Sequence, residues 1–383
     1  MSRVCCLFML AAAVALGQIG RSDPEFDTIP FEEWRAAGGN AHLQWSLRVF
    51  PPLLEDHQRF GTKIVAVVNA DEFSKRPRAG QMQFFLEIRD HDDIRYQTHR
   101  TLRLAKTTNP ADLKELRLIE PVCFIPGDYD ISAAVYDTDS KQHNFKEIKL
   151  HVPDIAHDPF RNAWQGLPSA ESYMCKTPFS LPLDTERSVK IEVIANSTLD
   201  RDRKTGASTY VPLLSRLQVI SQLQIRNGSM YLTVLDLEHR KVRFAGEAAN
   251  PNARRRLAAA MSTGNPRMID ASGVAGYNDD AQFFVSQVRR RLESAAPAEA
   301  DRVLIILTAR LTFPKGVDLR PIQTADLASA RVFYIRCSPL YLRNSDALEA
   351  TLKPLNPRLF DVTTAMDFRN ALAAIMSEVA KEK

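Results

Sequence analysis

The sequence predicts two fold classes in series, all-β followed by α/β, and three observations carry that prediction. Apolar residues recur with period two from about Trp45 to Val152, strand-like and helix-like runs alternate from Ser188 onward, and Pro159, Pro168, Pro178 and Pro182 break any regular period in between. These changes of period divide the chain into a β-sandwich over 40–153, a linker over 154–187 and an α/β domain over 188–383.

Ahead of the sandwich, Met1 to Gly17 carries one cation, Arg3, a charge-free apolar run from Val4 to Leu16, and Ala15-Leu16-Gly17 as a small-x-small cleavage site. That pattern predicts a secretory signal peptide over 1–17. The apolar run is shorter than the roughly 20 residues a spanning helix needs, so the mature chain is expected to have no membrane span and to be secreted or periplasmic. Cys5 and Cys6 would leave with the signal. Of the remaining Cys123, Cys175 and Cys337, one pair at most can form. Cys123 and Cys175 flank the domain junction and could staple it, or all three could be free thiols; Cys337 sits in an apolar strand pattern.

Hydrophobic residues make up 45% of the chain and charged residues 25%, and a net charge of +4 over 383 positions implies no nucleic-acid partner. The runs Arg254 to Arg256 and Arg289 to Arg291 fall in helical patterns without interleaved aromatics and read as solvated helix faces.

In the sandwich the expected strands are 64–68, 82–88, 94–104, 113–124, 129–136 and 145–152. Turn material such as Asn69-Ala70-Asp71, Arg89-Asp90-His91-Asp92-Asp93 and Pro126-Gly127-Asp128 separates them. His91, Asp92, Asp93 and His99 read as an acidic hairpin tip beside a polar strand rather than as metal ligands. The linker carries Phe160, Trp164, Tyr173 and Phe179, too apolar for a free tether, and is expected to be ordered.

In the α/β part, strands are expected at 189–195, 230–237, 241–244, 302–307 and 332–337. Helices are expected at 211–223, 253–261, 281–292 and 365–379, the first with Leu213, Leu214, Leu217, Ile220 and Leu223 on one face. Such alternation predicts a mostly parallel sheet whose ligands bind beyond the carboxyl ends of its strands.

Pro126-Gly127-Asp128-Tyr129-Asp130-Ile131 resembles the turn into a late strand of immunoglobulin-like and fibronectin-like domains, where a tyrosine locks the corner. The order of elements over 188–383 resembles a von Willebrand factor A-type domain, a doubly wound, Rossmann-like sheet. With its signal peptide and sandwich, the whole also resembles secreted proteins of environmental bacteria. In the A-type family, Asp-x-Ser-x-Ser at the end of the first strand, a loop threonine and a later aspartate form a metal-ion-dependent adhesion site. This chain has Ala195-Asn196-Ser197-Thr198-Leu199, Gly276-Tyr277-Asn278 and Thr308-Ala309-Arg310 at those places. The carboxylates that magnesium requires are absent there. Asp200 and Asp202 follow closely, but Arg201 and Arg203 alternate with them. The resemblance therefore implies a degenerate, metal-free adhesion site whose rim is Asn196, Ser197, Thr198, Tyr277, Asn278, Thr308 and Arg310, with Tyr277 and Arg310 as its anchors.

No zinc spacing, nucleophile elbow or phosphate-binding glycine loop is present, and His239 lies on the charged turn Glu238-His239-Arg240. No catalytic residue, metal or cofactor is predicted. The expected function is that of a non-enzymatic extracytoplasmic module that binds another extracytoplasmic protein, in an oligomeric state the sequence leaves open. A scaffold component of an envelope assembly, or an enzyme with an unrecognised site, is the alternative.

Overall fold

β-Branched and aromatic residues at alternate positions give long strands in the first part of the chain, and the computed structural model shows how they are laid out. It describes residues 22–39, 43–69, 72, 81–103, 115–172, 177–197, 210–237, 239–249, 255–257, 259–260, 277–293, 300–309, 322, 330–337 and 347–381. The expected signal peptide therefore lies outside the described residues. The contacts sort into two units, the first made of 1–51, 62–155 and 164–174, the second of 52–61, 156–163 and 175–383.

In the first unit, helix α1 (Phe31–Ala37) precedes strands β1 (Trp45–Val49), β2 (Leu53–Leu54), β3 (Phe60–Asn69), β4 (Gln81–Arg89), β5 (Arg95–Arg103), β6 (Glu115–Phe124), β7 (Gly127–Asp137), β8 (His143–Val152) and β9 (Ala170–Ser172). Of these, all of β2 and the first two residues of β3 fall in 52–61 and belong to the second unit. One sheet has the order β5-β4-β7-β8, antiparallel throughout, and the other the path β1-β3-β6-β9. Met82, Phe84, Leu86 and Ile88 on one face of β4 are buried, and Phe84 meets Trp45 of β1 edge-on, as facing sheets of a sandwich do. Tyr129 closes the corner into β7. Its hydroxyl donates to the carbonyl oxygens of Ile125 at 2.8 Å or Ser169 at 3.0 Å, and the ring is buried. Cys123 is disulfide-bonded, its partner lying outside the described residues.

The opposite face of β4 is covered by a segment that sequence periodicity did not reveal. A 3-10 turn at Pro24–Thr28 and α1 place Phe26, Phe31 and Trp34 against Phe85, Ala134 and Phe145, with Trp34 stacked on His143. Two carboxylates pin this segment. Asp23 accepts from the backbone N–H of His99 at 3.0 Å and sits 2.8 Å from its Nδ1. Glu87, wholly buried in the middle of β4, accepts from Arg89 and Gln97, each at 2.6 Å, and from Arg35 of α1. Burial opposes the charge on both. The hydrogen bonds from His99 to Asp23, and from Gln97, Arg89 and Arg35 to Glu87, outweigh it, so both titrate below their ordinary values of 3.8 and 4.5. A depressed carboxyl stabilises the fold fully above its ordinary value, and that contribution is lost as pH falls through the folded value. Acidification below the ordinary carboxyl range is therefore expected to release residues 22–37 before the sandwich unfolds. Limited pepsin digestion checks this. A first cut elsewhere would show that the carboxylates do not hold the segment.

The second unit contains β10 (Leu181–Leu183), β11 (Val189–Asn196), α2 (Tyr210–Ile220), β12 (Leu223–Ile225), β13 (Gly228–Asp236), β14 (Lys241–Glu247), α3 (Tyr277–Glu293), β15 (Asp301–Ala309), β16 (Arg331–Cys337), α4 (Ala347–Leu352), β17 (Arg358–Val362) and α5 (Ala365–Ala380). A six-stranded mixed sheet has the order β14-β13-β11-β15-β16-β17. The edge strand β14 is antiparallel, with an irregularity at Val234/Leu235, and the other pairings are parallel. Phe284, Val288 and Leu292 of α3 and Leu348 and Leu352 of α4 pack on Ile194, Leu235, Leu304, Ile306 and Tyr334. α5 starts at a capping box, in which Thr364 and Asp367 satisfy each other's backbone N–H groups. β13 starts at Gly228 with φ of +151°, where an added Cβ would lie 2.0 Å from the carbonyl oxygen of Val189.

Three segments of this unit, far apart in sequence, meet at Arg369. Its fully buried guanidinium pairs with Asp158, Nε to Oδ1 at 2.7 Å, donates to Gln58 Oε1 at 3.1 Å and lies over the rings of Phe160 and Phe179. Gln58 Nε2 donates to the carbonyl oxygen of Ala365 at 3.2 Å, and Arg216 Nε of α2 donates to Asp56 at 2.7 Å. Phe160 and Phe179, read as linker, are thus buried here.

The doubly wound, Rossmann-like von Willebrand factor A-type domain requires correction. Among the described residues 46% lie in strands and 27% in helices, and antiparallel strand pairings outnumber parallel ones. Strand-helix alternation reports how neighbouring strands are connected; it does not identify a family. The helix expected over 211–223 also ends early, because Leu223 opens β12, which pairs with β10. Among the described residues no helix is long and apolar enough to cross a membrane.

Candidate functional site

Parallel strands deliver their last residues to one edge of the mixed sheet, and polar side chains of the second unit gather there. Asn196 ends β11, Ser197 follows it, Asp236 ends β13, Thr308 is next to last in β15, and Arg336 is next to last in β16.

Of the residues expected at the adhesion-site rim, the structure brings three together, and all three are buried. Asn196, Ser197 and Thr308 are 3%, 4% and 0% exposed. Asn196 Nδ2 donates to Thr308 Oγ1 at 3.4 Å, Ser197 Oγ donates to the carbonyl oxygen of Leu235 at 2.9 Å, and Thr308 Oγ1 donates to that of Ala309 at 2.9 Å. Groups satisfied in this way hold the strand ends together. The degenerate adhesion site is corrected on that ground: these oxygens serve the sheet. Tyr277 and Asn278 open α3, while Thr198 and Arg310, with Asp200 and Asp202, lie outside the described residues.

Charged residues surround this core, and of them the sequence reading singles out only His239 and Arg240, as part of a charged turn. Asp236, nearly buried, accepts from Arg243 Nε at 2.8 Å and from the backbone N–H of His239 at 3.2 Å, and His239 Nδ1 lies 2.9 Å away. His239 is thus tied to the strand end. Burial works against the charge on Asp236, but the Arg243 and His239 hydrogen bonds more than offset it, and the carboxyl titrates below its ordinary range. Arg240 Nη1 meets Asp279 at 2.7 Å and its Nε meets Asp280 at 3.3 Å, so the turn after β13 is linked to the first turn of α3. Arg336 divides its guanidinium between Glu349 at 2.6 Å and Asp361 at 2.8 Å. Strand ends followed by Asp or Arg were the available signal; without their partners they read as ordinary turn charges.

The chemistry open to this arrangement is narrow. A cation approaching Asp236 meets the Arg243 guanidinium on the same oxygen, and among the described residues no group of three or more His, Cys, Asp or Glu side chains could hold a metal ion. Cys337 is fully buried against Arg216. Burial raises its thiol pKa although Arg216 opposes the shift, which disfavours the nucleophilic thiolate.

No family model matches the chain, and no curated protein matches it. The von Willebrand factor A resemblance therefore has no support from relatives. Solved structures match distantly. The chicken interferon gamma receptor alpha chain is 13% identical with a TM-score of 0.18, the match covering 29% of this chain and 50% of that one. A glycosyl hydrolase family 2 member from Bacteroides cellulosilyticus is 8% identical with a TM-score of 0.22, covering 86% and 47%. A family 123 glycoside hydrolase from Clostridium perfringens is 7% identical with a TM-score of 0.23, covering 78% and 65%. The chain spans about half the length of the first two. Likeness at this level carries no functional argument.

Proposed function

We propose that the chain is a non-enzymatic extracytoplasmic module that binds another protein through the charged rim of the mixed sheet. One observation carries the reading. The described strand ends are closed by buried hydrogen bonds among Asn196, Ser197 and Thr308, while partly exposed charges, Arg240, Asp279, Glu349 and Asp361, stand around them in fixed pairs. A surface of pre-oriented charges suits recognition of a complementary protein surface. The disulfide at Cys123 supports an oxidising compartment.

The test uses the full chain in its oxidised form as bait for the native envelope fraction. A stoichiometric partner is expected, and Arg240→Glu should weaken its capture by about tenfold, or roughly 1.4 kcal/mol. The Arg240 pairs are solvent-exposed and worth little to stability, so the melting temperature should hold. Equal capture by the variant would remove the site from this rim; absence of any partner would remove the function.

A further inference from the structure

A cleft of about 660 Å³ in the first unit runs between the N-terminal segment and the start of β5, lined by Phe26, Asp27, Ile29, Glu33, Arg95 and Gln97 among others. Three features of it point the same way.

Among the described residues β5 is an outer strand of its sheet, paired only with β4. The backbone N–H of His99 points away from β4, since it reaches Asp23, and strand geometry repeats every second residue. The N–H and C=O groups of Arg95 and Gln97 therefore face outward along the cleft, and neither N–H has a partner among the described residues. Asp23 blocks the edge at His99 and, with Ser22, meets the Gln97 side chain, which leaves the backbone groups of Arg95 and Gln97 for a short added strand. The cleft is also apolar at its base, through buried Phe26 and Phe31 and half-buried Ile29 and Ile94. Its charge is the third feature. Asp27, Glu32 and Glu33 line it against one cation, Arg95. Glu32 is already paired with Arg35, Arg89 and Arg95, whereas Asp27 and Glu33 are exposed and have no partner among the described residues.

We infer that this edge of β5 docks an extended segment of a partner protein as an additional short strand, one in which basic residues alternate with apolar ones. The backbone of the segment pairs with Arg95 and Gln97, its apolar side chains cover Ile29 and Ile94, and its lysine or arginine side chains meet Asp27 and Glu33. This surface is independent of the charged rim of the second unit.

The probe is a labelled acetyl-Val-Lys-Val-Lys-Val-amide, titrated into the full chain by fluorescence anisotropy with hydrogen exchange read in parallel. Saturable binding is expected, with slowed exchange of the Arg95 and Gln97 amides. Asp27→Lys with Glu33→Lys should weaken binding by about tenfold or more at unchanged melting temperature, since both side chains are exposed and unpaired. Replacing the peptide's lysines by glutamates, or N-methylating its backbone, should abolish binding, whereas Arg240→Glu should leave it untouched. No saturable binding, equal binding of the glutamate peptide, or full binding to the double variant would overturn the inference. So would dimerisation of the chain through this edge, which would put a second copy in place of the partner.

Discussion

Arg369→Met is expected to destabilise the second unit by roughly 3–5 kcal/mol, the cost of breaking a buried ion pair from one side. The guanidinium is fully buried and the Asp158 carboxylate is 3% exposed on its side chain, so removal of the cation strands an anion that water cannot reach. Gln58 Oε1 loses a donor as well, and Phe160 and Phe179 lose the cation above their rings. Urea unfolding of the full chain measures the effect. Adding Asp158→Leu should restore much of the loss, because the unpaired charge goes with it. A single variant within about 1 kcal/mol of wild type would mean that the pair is effectively solvated.

Gly228→Ala should cost roughly 2–4 kcal/mol. The methyl would stand 2.0 Å from a backbone oxygen of Val189, which no rotamer change relieves, and φ of +151° is a region that L-residues rarely adopt. Gly228 and Val189 are also the first register partners of β11 and β13, so the clash falls where that parallel pairing begins. Thermal unfolding gives the size of the effect. An alanine variant as stable as wild type would mean that the two strands separate freely at this end.

The sandwich strands were legible because each side chain alternates between a packed and an open face, and every period-two run in 64–152 is a strand in the structure. The segment over 22–37 was missed: it is one turn and a seven-residue helix, too short for a period, although Phe26, Phe31 and Trp34 among charged neighbours were a signal. β17 was missed because it is only five residues long and two of them, Arg358 and Asp361, are charged. The rim was misread for a different reason. The position of Asn196, Ser197 and Thr308 at the carboxyl ends of strands predicts an open rim, yet they are buried and serve one another and the backbone. Arg369 looks like a solvated helix charge in the sequence; its partners Asp158 and Gln58 lie 211 and 311 positions away.

That separation sets the order in which the second unit can be completed during synthesis. Gln58 and Asp158 leave the ribosome long before α5, yet the hydrogen bonds of Gln58 to Ala365 and of both residues to Arg369 need that helix. Until residues 365–380 emerge, 52–61 and 156–163 must wait with their polar groups in water, and closure then spans most of the chain, a slow step that leaves apolar surface open. A fragment beginning at Ser188 would never receive those two stretches. Its Arg369 would face the interior with neither Asp158 nor Gln58 to meet it.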